Sequence, residues 1–452
     1  MTAEPPAGPP RCNPPNLRRG TRVAHALIIA AVCVVLVAVT GVITTQTDDW
    51  VLIGYWYVGA FVIALCLVAF GVGRRYTRQP PATGRVLCIV PVYNERAEGL
   101  AATVQALLRQ TVPVDIVVID DGSQVPVSPS VVHPRVTWLR QDNSGKRGAQ
   151  VTVLRRFDRN DYRFILTVDS DSEPYPDACE QLLRAMSNPR VQAATGMIYV
   201  RNYADSWVSL AADMDIGTSC VMMRASRSAL GSLETTSGAL ALYRSELLYD
   251  HLDAYAVECG TGDDRWLALR ALRRGEVVAV AEALVGTDMP TTLRGTYKQR
   301  LRWSRSWWWM LPYVFKFLTG RQLLSPLYGV TQLVVTPLMI GYIVMATLLS
   351  QGGRYAHHTR VLAMYALAYV VVRYALSALY LVGRPRLKWQ HKLGLWLLGT
   401  PAAIILNLIL LIPTRYFALA RLFDNRWQSR ELSAKELQKA ITVAAIPTAL
   451  AS

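Results

Sequence analysis

Two apolar runs, residues 23–44 and 50–72, constrain the chain more than any other feature. Each is almost free of charge and long enough to cross a bilayer core of ~30 Å as a helix. Further apolar runs at 326–349, 361–382 and 393–413 occupy the C-terminal third. Between the two sets lies a polar segment of about two hundred residues, enough to bury its own core. A chain divided in this way cannot fold as one soluble globule. It must fold as an aqueous domain attached to a membrane bundle.

Composition agrees. Of 452 residues, 52% are apolar and only 18% charged, against about 45–50% and about 25% in soluble domains. The net charge of +16 comes mainly from arginine, and the basic residues cluster beside the apolar runs. Attraction to anionic headgroups and retention of basic loops on the cytoplasmic side account for that pattern, and nucleic acid is excluded as a partner. Arg74, Arg75 and Arg78 close the second run, while Asp48 and Asp49 separate it from the first. By the positive-inside rule the acidic link faces outward and everything after Arg78 is cytoplasmic, as expected for a multi-pass plasma-membrane protein. Run 23–44 is too long for a signal-peptide core.

The expected organisation is a Pro- and Arg-rich cytoplasmic tail at 1–22, two spans within 23–78, and a soluble α/β domain at 79–289. A zone at 290–322 mixes Trp303, Trp307, Trp308 and Trp309 with Lys316 and Arg321, a combination suited to helices at headgroup level. Two more spans fall within 323–383, and a short tail occupies 431–452. The run at 393–413 has basic residues at both ends and Pro401 in its middle. It reads as a broken, re-entrant or interfacial pair of helices within 384–430, giving four full spans, with a fifth crossing as the alternative.

The cysteines at 12, 33, 66, 88, 179, 220 and 259 contain no CxxC pair, and His357-His358 lack a third ligand. A zinc site and a disulfide framework are both excluded.

Within 85–285, short apolar runs at 85–92, 115–119, 136–139 and 164–168 read as buried parallel strands. Leu100, Val104, Leu107 and Leu108 fall at helical spacing between the first two, which is βαβ logic. Open α/β sheets bind ligands beyond the carboxyl ends of their strands. There the chain places Tyr93-Asn94-Glu95, whose ring could stack on a base, and Asp120-Asp121-Gly122-Ser123, whose acids could accept an N–H of uracil. Asp-Gly is also an ordinary turn pair. A basic stretch, Asn143-Ser144-Gly145-Lys146-Arg147-Gly148, reads as a loop able to cradle a diphosphate, or as a solvated turn.

Asp169-Ser170-Asp171 ends the apolar strand 164–168, and two carboxylates so placed can hold a hard cation such as Mg²⁺ or Mn²⁺. Gly262-Asp263-Asp264-Arg265 opens a helical run, where one acid could act as general base and the other as a cap. Cys259 lies close by and has no assigned chemistry.

These motifs, with Ser237-Gly238-Ala239-Leu240 and Gln299-Arg300-Leu301-Arg302-Trp303, occur in the order seen in processive family 2 membrane glycosyltransferases. Over 80–430 the chain resembles the hyaluronan synthases and chitin-oligosaccharide synthases of that family. The resemblance implies a GT-A, Rossmann-like cytoplasmic domain that takes a UDP-sugar donor and extends a growing polysaccharide through the bilayer. UDP-GlcNAc, joined by UDP-GlcA, is the donor pair it implies first.

Carried over by position, Tyr93, Glu95 and one of Asp120 and Asp121 would hold the nucleotide, with Lys146, Arg147, Gln299 and Arg302 at the diphosphate. Asp171, helped by Asp169, would bind the metal. Asp264 would be the base, with Asp263 beside it. Ser237, Gly238, Arg265 and Trp303 would form the acceptor site, and Trp427 and Arg430 a gating segment. Ala239 and Gln428 depart from the family's Pro and Gly at those positions.

Overall fold

A computed structural model describes residues 19–46, 48–73, 76–259, 262–349, 356–385 and 387–422. The two N-terminal apolar runs form α1 (Arg19–Gln46) and α2 (Trp50–Val72), which pack side by side. The turn between them is capped by Asp49, whose carboxylate accepts from the amides of Val51 and Leu52. This satisfies two of the amides that a helix start leaves without partners.

The polar segment then builds its sheet. It runs β1 (Val86–Val92), α3 (Ala97–Leu108), β2 (Asp115–Asp121), β3 (Val136–Gln141), α4 (Gly145–Arg156) and β4 (Phe164–Thr167). A short β5 (Glu173–Pro174), α5 (Ala178–Met186) and the long β6 (Val191–Val200) follow. Next comes the helix α6 (Trp207–Ile216), continued through a π turn at Gly217–Met222 into α7 (Met223–Ala229). The domain closes with β7 (Ala241–Arg244), α8 (Ser245–Tyr249), α9 (Leu252–Glu258), α10 (Asp263–Arg274) and β8 (Glu276–Thr287).

The strands form one eight-stranded sheet in the order β3-β2-β1-β4-β7-β6-β8-β5. Strands β3, β2, β1 and β4 run parallel, as their crossover connections require, and β7 reverses direction between β4 and β6. All seven residues of β1 are buried, because helices cover both faces of the sheet. The expected buried strand at 136–139 differs: β3 is an edge strand with none of its residues fully buried, since it has a neighbour on one side only.

Beyond the domain, α11 (Leu293–Phe317) is a single helix with Pro312 inside it. Its buried residues Leu301, Arg305, Met310 and Val314 fall at near-fourfold spacing and face α10 and the last membrane helix. After it come α12 (Leu324–Val330), α13 (Thr336–Leu349), α14 (Ala356–Gly383), α15 (Trp389–Gly394), α16 (Thr400–Leu406) and α17 (Ile412–Ala420).

Among the described residues, Gly20–Gln46, Trp50–Val72, Ala363–Gly383 and Trp389–Ala420 are helices long and apolar enough to cross a membrane. The last differs from the expected pair of broken helices in its continuity. The chain is not broken at Pro401 but stays helical over all 32 residues from Trp389 to Ala420. Pro401 follows a π turn at Leu395–Gly399, and Pro413 follows another at Asn407–Leu411. Widened turns of this kind absorb the hydrogen bond a proline cannot donate, so the helix bends rather than ends.

Candidate functional site

The motifs meet at the carboxyl end of the parallel strands. Lys146, in the first turn of α4, is the hub. Its Nζ donates to Asp169 Oδ1 at 2.7 Å and lies 3.2 Å from Asp263 Oδ2. Burial alone would lower the pKa of this ammonium. Asp169, Asp263 and Asp264 outweigh it and hold the group well above the ordinary lysine value, so Lys146 stays charged. The basic stretch is therefore not a loop but the start of a helix, whose N-terminal amides add to the positive field.

Gly238 is required by this convergence. A Cβ there would sit 2.8 Å from both Asp169 Oδ2 and Lys146 Nζ. Its neighbour Ser237 is buried. Thr236 ties the same loop to the acidic helix, its hydroxyl donating to the Asp264 carbonyl at 3.0 Å. Arg224 of α7 in turn donates to the Thr236 carbonyl at 3.0 Å.

Asp263 and Asp264 open α10 as expected. For Asp263, burial opposes ionisation, but Lys146 and Arg302 prevail and hold its pKa below the usual value. Asp264 shifts the other way: burial first, then the charge of Asp263, raises its pKa. Two adjacent acids thus part into a firmly ionised group and one that takes up a proton more readily, the pattern expected of a base beside an electrostatic anchor. Cys259 is buried next to them, and burial pushes its thiol up, so it is an inert wall rather than a nucleophile.

At the end of β4, Asp171 is raised to about 6 by burial, Asp169 and Glu95. Glu95 is held nearby, accepting from Ser170 Oγ at 3.3 Å. Carboxylates crowded in this way would be relieved by a cation. Among the described residues no group of three or more His, Cys, Asp or Glu side chains could hold a metal, so a cation at Asp169 and Asp171 would take further ligands from a bound substrate. The residues fit such a metal on those terms.

At the ends of β1 and β2 the arrangement is partly structural. Asp120 accepts from the amides of Ser123 (2.9 Å) and Val127 (3.1 Å) and pairs with Arg140, which organises the loop. Asp121 uses Oδ1 to accept from Gln141 Nε2 at 2.7 Å and Ser144 N at 2.9 Å. Tyr93 sits half-buried at the end of β1.

The segment Gln299–Trp303 lies on α11. Arg302 acts on Asp263. Gln299 Oε1 and Arg147 Nη1 are buried without a hydrogen-bond partner among the described residues, polar atoms that a bound ligand could satisfy. Arg265 is drawn elsewhere: its Nη1 lies 3.0 Å from Glu234 Oε1, and the Glu234 side chain is buried. Trp427 and Arg430 lie outside the described residues.

Sequence reading missed several residues of the site region. Asp288, just past β8, adds its charge to Asp171. Asp213, Asp215 and Arg224 sit on the α6–α7 helix, where charges in a largely apolar stretch were the available signal.

Residues 81–306 match the family described as glycosyltransferase like family 2. Hyaluronan synthase of Streptococcus pyogenes is 27% identical over 393 residues, spanning 82% of this chain and 90% of that protein. An N-acetylglucosaminyltransferase of Sinorhizobium fredii is 29% identical over 360 residues, 76% of this chain and 83% of its own. The solved mannosyltransferase PcManGT from Pyrobaculum calidifontis, in complex with GDP-Man and Mn²⁺, aligns at 18% identity and a TM-score of 0.44 over 83% of this chain and 99% of its own. The chain belongs to the family 2 glycosyltransferases, with a GT-A catalytic domain joined to a bundle of apolar helices.

Proposed function

We propose that this enzyme is an inverting, processive synthase that builds a β-linked, hyaluronan-like polysaccharide from UDP-GlcNAc and UDP-GlcA and passes it across the plasma membrane. The observation that carries the reading is the meeting of Lys146, Asp169, Asp263 and Arg302 beside a helix that packs on the last apolar helix. Donor chemistry and membrane thus adjoin.

In this reading Tyr93 stacks on uracil and Asp121 receives its N–H, while Asp120 holds the loop. Arg147, Gln299 and Arg302 receive the diphosphate, aided by the amides at the start of α4. Asp169 and Asp171 would hold Mg²⁺ or Mn²⁺. When bound, the cation supplies positive charge to the departing diphosphate. Asp264 takes the proton of the acceptor hydroxyl as its oxygen attacks the anomeric carbon and the bond to UDP breaks. Lys146 keeps Asp169 and Asp263 apart in charge.

Trp303 offers the acceptor sugar a flat face, and Ser237 lines the same pocket. Stacking of this kind fixes no single register, which lets a chain slide. A polar polymer cannot cross hydrocarbon unaided, so the apolar helices would have to enclose its path. The Arg-flanked ends of the apolar runs favour a cytoplasmic catalytic domain.

A second reading, an N-acetylglucosamine homopolymer, is favoured by the similarity to the Sinorhizobium transferase. Purified enzyme given UDP-GlcNAc alone, then UDP-GlcA as well, separates the two. Long product only with both donors supports the first, and polymer from one donor overturns obligatory alternation. Chelation should stop turnover, and Mg²⁺ or Mn²⁺ should restore it.

A further inference from the structure

Two residues separate Gln299 from Arg302, and the first of them, Arg300, has defined partners. Arg300 lies one helical turn before Trp303, and its guanidinium sits over the indole face, 4.6 Å from the ring centroid. Its Nη2 is 2.9 Å from Asp215 Oδ2. The side chains are only 12% and 9% exposed, so the charges attract with little screening. Arg300 Nε and Nη2 make no hydrogen bond among the described residues, so the contact with Asp215 is an ion pair held by charge and proximity. The guanidinium is therefore held by Asp215 on one side and the indole on the other.

Asp215 is in turn firmly seated. Its carbonyl accepts from Thr218 Oγ1 at 3.1 Å and Ser219 Oγ at 2.7 Å, at the point where α6 passes into the π turn. Two residues earlier, Asp213 points to the other side of the helix, since successive residues are about 100° apart. There it pairs with Arg384 and accepts from Tyr380 OH at 2.9 Å, at the end of α14. One turn of helix thus engages an apolar span with one acid and the tryptophan helix with the other. Arg415 of α17 faces the same junction and acts on Asp215 and Arg300, and Trp308 Nε1 donates to its carbonyl at 2.8 Å.

We propose that Asp215 is a positioning residue for acceptor binding: through Arg300 it clamps one face of Trp303 and leaves the other to the sugar. The inference rests on the reading of Trp303 as the acceptor platform. An unclamped indole would sample several rotamers, and each productive encounter would then need the ring to be reordered.

The test uses full-length enzyme in lipid vesicles with the donor set that supports turnover, comparing Asp215→Asn, Arg300→Gln, the double variant, Asp215→Glu and Trp303→Ala. Product length and the KM for an added chito-oligosaccharide are read beside the KM for donor. Asp215→Asn and Arg300→Gln should each shorten product and raise acceptor KM about tenfold, leaving donor KM within about twofold. The double variant should be no worse than either single one, and Asp215→Glu should restore part of the length. If Trp303→Ala shortens product but Asp215→Asn does not, the clamp is wrong while the platform stands. If Trp303→Ala leaves length unchanged, the platform itself fails. Equal loss in donor and acceptor KM for Asp215→Asn would mark a merely structural role and overturn the proposal.

Discussion

A Cβ at position 262 would lie 2.4 Å from the Cβ of Ser306, so Gly262 is where the acidic helix and the tryptophan helix touch with no side chain between them. The contact brings Asp263 and Asp264 alongside Arg302, motifs on two separate helices.

Gly262→Ala should therefore damage catalysis. Carbon atoms prefer separations of about 3.5–4.0 Å, so the helices must part by roughly an ångström, and a misplacement of that size costs about 10²-fold in rate. Overpacking of this kind also costs about 1–3 kcal/mol of stability. Nucleotide release and thermal unfolding in detergent read the two effects. Ser306→Gly in the same chain should recover part of the rate, and a fully active Gly262→Ala would show that the approach is not needed.

Asp264→Asn removes the proposed base while keeping its shape. Nucleotide release should fall by about 10²–10⁴-fold, the usual contribution of general base catalysis. Binding of UDP, measured by calorimetry, should stay near the original. Unchanged turnover would remove Asp264 from the mechanism.

The pH profile has a defined sign. Asp264 must be ionised to act, and burial and then Asp263 raise its pKa. The acid limb of kcat/KM should therefore lie above the ordinary aspartate value of about 3.9, with activity lost as pH falls through it. Asp263 remains ionised across that limb, because Lys146 and Arg302 overcome the effect of burial. Asp263→Asn removes a negative neighbour and should shift the limb to lower pH, whatever it does to the maximal rate. A limb unmoved in that variant would exclude Asp264 as its source.

Lys146→Met leaves Asp169 and Asp263 facing each other without the ammonium that now lies between them. Donor KM should rise at least tenfold. Lys146→Arg should not rescue it, because the group is confined by both acids and by the backbone of Gly238. A steady-state titration of donor decides, and rescue by arginine would show that charge alone suffices.

Asp213→Asn should destabilise the enzyme without a selective effect on either substrate. Asp213 is fully buried against Arg384, and breaking a buried pair from one side costs about 3–5 kcal/mol. A lowered melting temperature with unchanged KM values is the expected outcome. An unaltered melting temperature would mean that the pair contributes little.

Much of this architecture was legible in the chain because it depends on local pattern. The buried strands and the covering helix α3 follow from apolar runs and helical spacing, and strand β1 is buried throughout as its composition required. The placement of the acids at 169 and 171 past a buried strand and of 263 and 264 at a helix start was legible from the apolar and helical patterns around them. The helix at Trp389–Ala420 was not, since proline argues for a break and the sequence does not show the π turns that accommodate it. Arg265 was assigned to the acceptor, but its partner Glu234 lies thirty-one positions away and no periodicity links them.

By itself, then, the amino-acid order determined that this molecule has a set of long apolar helices and a sheet-based catalytic part, because burial pattern and residue type are properties of short segments. Only tertiary structure decided that Lys146 neutralises Asp169 and Asp263 together, that Asp263 and Asp264 part in acidity, and that Asp215 reaches Arg300. Charge interactions depend on distance and on the exclusion of water, and neither exists until the segments pack.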